Sequence, residues 1–157
     1  MTGRAEVHRL EQHIDAVFER ASTLRDPEYL SDYAKHLCVL VSGFLEQAII
    51  ELILEYVRQR SAPTVQRYVE SRLRRFTSAN RKKVIELLAC LDESWRNDLE
   101  NYIVDERRAA IDSVVTLRHA ISHGRHAIIT VTMVQMSRYY IKIKETIDHI
   151  ADLCVPV

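Results

Sequence analysis

Apolar residues recur with a helical period along almost the whole of this 157-residue chain. The clearest case is the C-terminal segment, where apolar residues lie alternately three and four positions apart. The members of this seam are Met133, Met136, Tyr140, Ile143, Ile147, Ile150 and Cys154. Such spacing puts every member on one face of a helix, as in bundles and coiled coils. The segment is therefore predicted to be a helix that packs against other helices.

Residues that turn the chain are scarce, since the sequence contains only three Gly and three Pro. An all-β fold needs many more turn residues than this. Predicted helices cover about residues 4–24, 29–60, 64–76, 80–91, 92–104, 105–123 and 132–154. We therefore expect an all-α fold: one domain spanning 1–157, built as a compact bundle of about five to seven helices with a four-helix core.

The second predicted helix is apolar over well over half of its circumference, whereas a surface helix needs a stripe of only about 100°. It should therefore lie at the centre of the fold or be shared with a second subunit. The two-sided burial favours a symmetric homodimer. Gly43, in the middle of this helix, predicts a close helix crossing or a bend.

The cysteines and the N-terminus indicate a cellular compartment. Cys38, Cys90 and Cys154 are far apart, lie among apolar residues and form no CxxC pair, so we expect small buried hydrophobes in a reducing environment. The N-terminus does not resemble a signal peptide, and no uninterrupted apolar run approaches the roughly 18 residues of a spanning helix. These features predict a soluble, cytoplasmic protein without a membrane partner.

Charge is strongly segregated although the formal net charge is zero. Residues 56–83 contain nine basic residues and one acid, whereas residues 86–106 contain seven acids and one base. A basic face of this kind can follow a phosphate backbone, and Arg74 and Arg75 are its candidate RNA-binding residues. Alternatively, the two segments are solvated helix faces that attract each other or their symmetry mates.

Two charged residues fall on apolar helix faces. Glu46 projects at nearly the same angle as Ile50 and Ile53, and Arg118 projects with Val114 and its apolar neighbours. An unpaired buried charge costs several kcal/mol, so each residue needs a partner, and the two can pair with each other. The pair is either a structural ion pair or part of a polar site in a helical interface.

Three of the seven histidines fall within eight residues, in the segment Arg118 to His126. His119 and His123 are four residues apart and share a polar helix face with Asp112 and Thr116. On a regular helix Arg118 and His123 project about 140° apart. They can converge only if the helix loosens near Gly124, or if a second subunit supplies its own copy.

This segment resembles the R-x(4–6)-H motif of the HEPN superfamily of all-helical domains. Arg118 and His123 fill the two motif positions, His119 takes the polar position after the Arg, and Gly124 follows the His. The long apolar helix before the motif and the amphipathic helix after it fit the same resemblance. Among HEPN groups, the chain is most similar to RiboL-PSP and related stand-alone toxin or defence types.

The resemblance implies a metal-independent endoribonuclease that acts as a homodimer, with both motifs lining one cleft and no cofactor. A toxin-type role would also imply an antitoxin or an operon-encoded partner. In such a site His123 would be the general acid or base, and Arg118 would stabilise the phosphate, with His119 assisting. Histidine titrates near neutral pH, and a guanidinium can hold a developing phosphorane by two parallel hydrogen bonds. Weaker candidates are Ser122, Arg125 and His126 as substrate-binding residues, and Glu46 and Asp112 as supporting residues.

Three other interpretations remain open. The H-x3-H pair, with His126 or Asp112 as a third ligand, could bind zinc, although no further Cys or His motif completes the site and no metal is expected. A HEPN-like module could bind nucleotides, RNA or protein without cutting. The bundle could also be purely structural, in which case Arg118 would matter for stability alone.

Overall fold

The computed structural model describes residues 2–124 and 129–157, and within these ranges it contains seven α-helices and no strand. They are α1 (Gly3–Ala21), α2 (Pro27–Arg58), α3 (Pro63–Leu73), α4 (Arg81–Ala89), α5 (Ser94–Tyr102), α6 (Asp105–Ser122) and α7 (Met133–Cys154). The predicted all-α class is confirmed, and each predicted helix has its counterpart.

Four helices, α1, α2, α6 and α7, pack on one another and form the core, while α3, α4 and α5 flank it. Helices α2 and α7 begin at recognisable capping signals. The Asp26 side chain accepts hydrogen bonds from the first turn of α2, and Pro27 occupies its first position. Thr132 and Gln135 form a capping box at the start of α7. Short polar signals therefore mark the starts of α2 and α7, and apolar periodicity places the faces that pack.

Helix α2 is the centre of the bundle and contacts α1, α3, α6 and α7. The prediction of a central position is confirmed, whereas the symmetric homodimer remains a prediction. By length and composition α2 is apolar enough to cross a membrane, although it lacks an uninterrupted apolar run. Of its most apolar stretch, 61% is buried in the fold. Its apolarity is accounted for by packing against neighbouring helices.

The predicted seam of α7 faces the core. Met136, Tyr140, Ile143, Ile147, Ile150 and Cys154 are buried, and Met133 is half-buried. The Tyr140 ring stacks on Phe18 of α1 at 5.0 Å, and its hydroxyl donates to the Asp15 carboxylate at 2.8 Å. Burial, together with this carboxylate, raises the pKa of the Tyr140 hydroxyl, which stays protonated and joins α7 to α1.

The close helix contact predicted at Gly43 lies elsewhere. A Cβ atom at Gly43 would meet nothing within 4 Å, whereas one at Gly3 would lie 2.7 Å from the Glu51 carbonyl oxygen and 2.8 Å from the Glu55 Cβ. The first residue of α1 therefore packs directly on the backbone of α2. The close crossing predicted at Gly43 is wrong, because the place of a glycine inside a helix does not show what packs against it; the alternative of a bend there stays a prediction.

We expect opposite effects from alanine at these two glycines. Gly43→Ala should stabilise the fold by about 0.5–1 kcal/mol, because alanine has the higher helix propensity and nothing opposes its methyl group. Gly3→Ala should cost about 1–3 kcal/mol, because the backbone of α2 cannot move aside cheaply. Urea unfolding of both variants measures the difference. Equal unfolding midpoints for the two variants would contradict the close contact of Gly3 with the backbone of α2.

The prediction of three buried cysteines is wrong for one of them. Cys38 and Cys154 are buried, but Cys90 is exposed at the end of α4. Burial raises the pKa of the Cys38 thiol to about 11 and that of Cys154 to about 12. Cys90 follows the last core residues of α4 as its C-cap, and its side of the helix end is exposed.

Thiol labelling should distinguish the three cysteines. At pH 8 a thiol with a pKa near 11 is about 0.1% thiolate, so Cys38 and Cys154 should react at least ~100-fold more slowly than Cys90. An Ellman titration of the native protein is expected to give one rapid equivalent, and three after unfolding. The Cys90→Ser variant should lose the rapid equivalent; if it keeps it, the burial of the other two thiols is misassigned.

Candidate functional site at the end of helix α6

The C-terminal end of α6 carries the Arg and His of the predicted motif. The helix is regular as far as Ser122, and His123 follows it as the C-cap residue with φ −94° and ψ 22°. Gly124 then adopts φ +77°, a left-handed conformation that costs glycine little. The helix predicted over residues 105–123 is therefore found with its end within one residue of the predicted position. His119 and His123 consequently occupy the last, solvent-exposed turn.

Arg118 points away from that turn and pairs with Glu46 of α2. Its Nη1 donates to Glu46 Oε1 at 2.9 Å, as the apolar positions of both residues suggested. The Glu46 side chain is only 9% exposed, whereas that of Arg118 is 33% exposed. The guanidinium is thus held on one side by a buried carboxylate and remains partly open to solvent. Such an anchored cation can still bind an anion.

The same Glu46 oxygen also holds the segment between α3 and α4. The backbone N–H of Ser78 donates to Oε1 at 2.9 Å. Ser78 has φ +54°, a conformation that is uncommon for a residue with a side chain. Glu46 therefore joins α2, α6 and this turn at one buried point.

Asp112 joins α6 to the start of α4. Its Oδ1 accepts the backbone N–H of Arg81, the first residue of α4, at 3.0 Å. The Arg81 side chain donates to the carbonyl oxygens of Ile103 and Glu100, at the end of α5. Asp112 and Arg81 therefore position α4 and α5 against α6. Asp112 lies on the polar face of α6, as predicted, and its other carboxylate oxygen, Oδ2, lies 3.8 Å from Arg108 Nε one turn earlier.

The two exposed histidines of α6 lie against each other. The ring centroids of His119 and His123 are 4.2 Å apart, with their planes inclined by 53°. Within the described residues, no hydrogen bond or ring contact joins either histidine to Arg118, whose hydrogen-bond partner is Glu46. Because α6 is regular through Ser122, one chain presents Arg118 and His123 in different directions.

The other predicted site residues occupy the surrounding surface. Ser122 is exposed on the last turn of α6, and Arg74 and Arg75 are exposed at the end of α3. Arg125 and His126 lie outside the described residues. Between α6 and α7 runs a groove of about 400 Å³ that is lined in part by Asp112, Ser113, Thr116, Gln135 and Tyr139. It opens on the face of α6 that also carries His119 and His123.

In the part of the chain that the structure describes, no three His, Cys, Asp or Glu side chains are grouped to hold a metal ion. His119 and His123 lie together, while Asp112 is engaged by the backbone of α4. The third ligand that the zinc hypothesis offers, His126, lies outside these residues.

Sequence reasoning missed two residues that shape this region. Nothing in the sequence singles out Ser78, and Arg81 appears there as one of the nine basic residues of the segment 56–83. Asn80 is the cap of α4 in the structure, accepting the Lys83 N–H at 2.9 Å. A positive φ at a serine has no sequence signature, and the path of Arg81 to the end of α5 depends on how the connecting turns fold.

Comparison with known proteins gives one match. The family model described as RiboL-PSP-HEPN matches residues 5–155, almost the whole chain. No curated protein matches, and no solved structure does.

Proposed function

The chain belongs to the RiboL-PSP-HEPN family, and on this premise we propose that it is a metal-independent endoribonuclease. The observation that carries the proposal is the setting of Arg118. A motif arginine on a half-buried helix face is paired with a nearly buried carboxylate and still reaches solvent. The motif histidine, His123, follows five residues later as the C-cap of the same helix.

The reaction we propose uses the 2′-hydroxyl of RNA as the nucleophile. A base removes the proton of this hydroxyl, its oxygen attacks the adjacent phosphorus, and the bond from phosphorus to the 5′-oxygen breaks as an acid protonates that oxygen. His123 is the catalytic acid or base and His119 assists it, because imidazole can exchange protons near neutral pH. Arg118 stabilises the negative charge that gathers on the non-bridging oxygens.

The proposed enzyme is a symmetric homodimer. A regular α6 separates Arg118 from His123 by about 140° around its axis, so the two meet most simply when a second copy supplies one of them. The groove between α6 and α7 lies beside the two histidines. Next to it, α7 exposes the apolar side chains of Val134 and Ile141. A two-fold contact along this side of the molecule would cover that surface.

The biological setting we propose is a cytoplasmic toxin or defence enzyme, restrained by an antitoxin or an operon-encoded partner. Its support is the family resemblance alone.

The proposal is tested by RNA cleavage in excess chelator. We expect the wild-type protein to cut single-stranded RNA in EDTA and to leave 2′,3′-cyclic phosphate and 5′-hydroxyl ends. Products with 3′-hydroxyl ends, or activity that returns only with a divalent metal, would point to the zinc hypothesis. A folded, dimeric protein that binds RNA without cutting it would indicate the binding module.

A mixing experiment tests whether the site is shared between subunits. Arg118→Ala and His123→Ala proteins, each inactive, are combined under conditions that exchange subunits. In a shared site, half of the dimers are mixed and each has one intact site, so about a quarter of wild-type activity should return. If the dimers exchange but no activity returns, Arg118 and His123 act within one subunit.

A further inference from the structure

A basic surface on α3 and the turn after it has no part in the pairings described above. The outward face of α3 carries Arg67, Tyr68 and Arg72, and Arg74 and Arg75 follow at its C-terminal end. Within the helix only Leu73 is buried. Most of α3 therefore faces solvent, and its packing does not account for its five basic and aromatic side chains. We call these five residues the α3 surface.

The charge of the α3 surface is not neutralised by the protein. Across residues 2–124 and 129–157, no carboxylate lies within ion-pair distance of Arg67, Arg74 or Arg75. By contrast, Arg9 of α1 and Arg96 of α5 each pair with a glutamate three residues earlier in the chain. Arginines without a counter-charge can release ions from a phosphate backbone when they bind it.

An exposed aromatic ring lies among the arginines of the α3 surface. Tyr68 is 59% exposed, and the guanidinium carbon of Arg72 lies 5.3 Å from the centre of its ring. The Arg72 Nε also donates to the tyrosine hydroxyl at 3.2 Å, which holds the two side chains together. Aromatic rings set among arginines are the stacking platforms of proteins that bind single-stranded nucleic acid.

The α3 surface ends beside Arg118. Ser78 follows Arg75 by three residues, a stretch that spans at most about 11 Å. The Ser78 N–H and the Arg118 Nη1 both donate to Glu46 Oε1, each at 2.9 Å. Only the short segment up to Ser78 and the shared Glu46 carboxylate therefore separate the end of the α3 surface from the Arg118 guanidinium.

We propose that the α3 surface binds single-stranded RNA and directs it to Arg118. Arg67, Arg74 and Arg75 contact backbone phosphates, and a base stacks on Tyr68. The inference rests on the proposed function for the identity of its ligand and adds the surface that holds the substrate outside the reacting centre. An acidic protein could also meet the arginines, but it would have no need of the exposed ring.

The charge contribution is tested by the salt dependence of RNA binding. The probe is a fluorescein-labelled, unstructured 12-nucleotide RNA, and the protein is the full chain carrying His123→Ala, so that the RNA stays intact. The quantity measured is the slope of the logarithm of the association constant against log[salt], which is negative. Replacing Arg74 and Arg75 by Gln should reduce the magnitude of this slope by about 1.4, since each single-strand phosphate contact contributes about 0.7. The matched control is Arg20→Gln with Arg25→Gln, two exposed arginines at the end of α1. It should leave the slope unchanged.

The stacking contribution is tested at Tyr68. Tyr68→Ala should weaken RNA binding by about 5- to 150-fold, whereas Tyr68→Phe, which keeps the ring, should bind as tightly as the parent. Tyr29→Ala is the matched control, because Tyr29 is 67% exposed at the start of α2. That control should bind RNA normally.

Binding and cleavage separate the two proposals. If the wild type cuts RNA but the α3 variants bind RNA like their controls, the RNA-binding role of the α3 surface is wrong and the proposed function stands. If the wild type never cuts, yet binding depends on Arg74, Arg75 and Tyr68, the ribonuclease is wrong and the surface stands. Equal competition by polyglutamate, with no effect of Tyr68→Ala, would overturn the inference in favour of an acidic protein.

Discussion

Replacing His123 by Ala is expected to lower kcat/KM for RNA cleavage by about 10²–10⁴-fold, the usual contribution of a positioned acid or base. Arg118→Ala should cost about 10²–10³-fold, as the loss of one oriented donor at a developing oxyanion does. Both are measured in excess chelator on one defined RNA. His13→Ala, an exposed histidine of α1, is the matched control and should retain full activity.

The Arg118→Lys variant separates catalysis from folding. Lysine keeps the positive charge and can pair with Glu46, so the free energy of unfolding should stay within about 1 kcal/mol of the wild type. It cannot offer two parallel donors to a phosphate, so activity should still fall. Full activity in Arg118→Lys, or loss of activity only in proportion to lost folded protein, would contradict the catalytic role of Arg118.

Glu46→Ala is expected to destabilise the fold by about 2–3 kcal/mol, because it leaves the Ser78 N–H without its acceptor and the Arg118 guanidinium without its counter-charge. The estimate is below that for a fully buried pair because Arg118 is partly solvated. Denaturant unfolding measures the change. A double-mutant cycle with Arg118→Ala should give a coupling energy of about 0.5–3 kcal/mol.

In the proposed site Glu46 is a positioning residue, and this role would have a kinetic signature. Glu46→Gln keeps an acceptor for both donors, so it should retain more activity than Glu46→Ala when both are assayed fully folded. In Glu46→Ala we expect kcat to fall while KM changes little, because the proposed α3 surface would still hold the RNA. Unchanged kcat in the folded Ala variant would leave the pair with a structural role alone.

The sequence predicted the parts of this protein that depend on local pattern. Helix positions follow to within a few residues from the apolar period, as in the helix predicted over 105–123 and found as Asp105–Ser122. The pairing of Glu46 with Arg118 could be anticipated because each charge lies where only apolar residues fit. These patterns predict structure because burying an unpaired charge, or the polar face of a helix, costs free energy.

What the sequence did not predict depends on the path of the chain between helices. The close contact at Gly3 requires knowing which turn of α2 the start of α1 meets. The exposure of Cys90, and the bond from Ser78 to Glu46, require the geometry of the turns around α4. No period or short motif records such distances, because they result from the packing of elements remote in sequence.

The central position of α2 has a consequence for synthesis. This helix is about 48 Å long, and its apolar residues pack in part against α6 and α7, which are translated later. Between the ends of α2 and α7 lie 96 residues. At cellular elongation rates the ribosome needs roughly 5–20 s to add them. During that time α2, the longest and most apolar of the seven described helices, lacks the later helices that cover part of its surface, and chaperones can engage it before the fold closes.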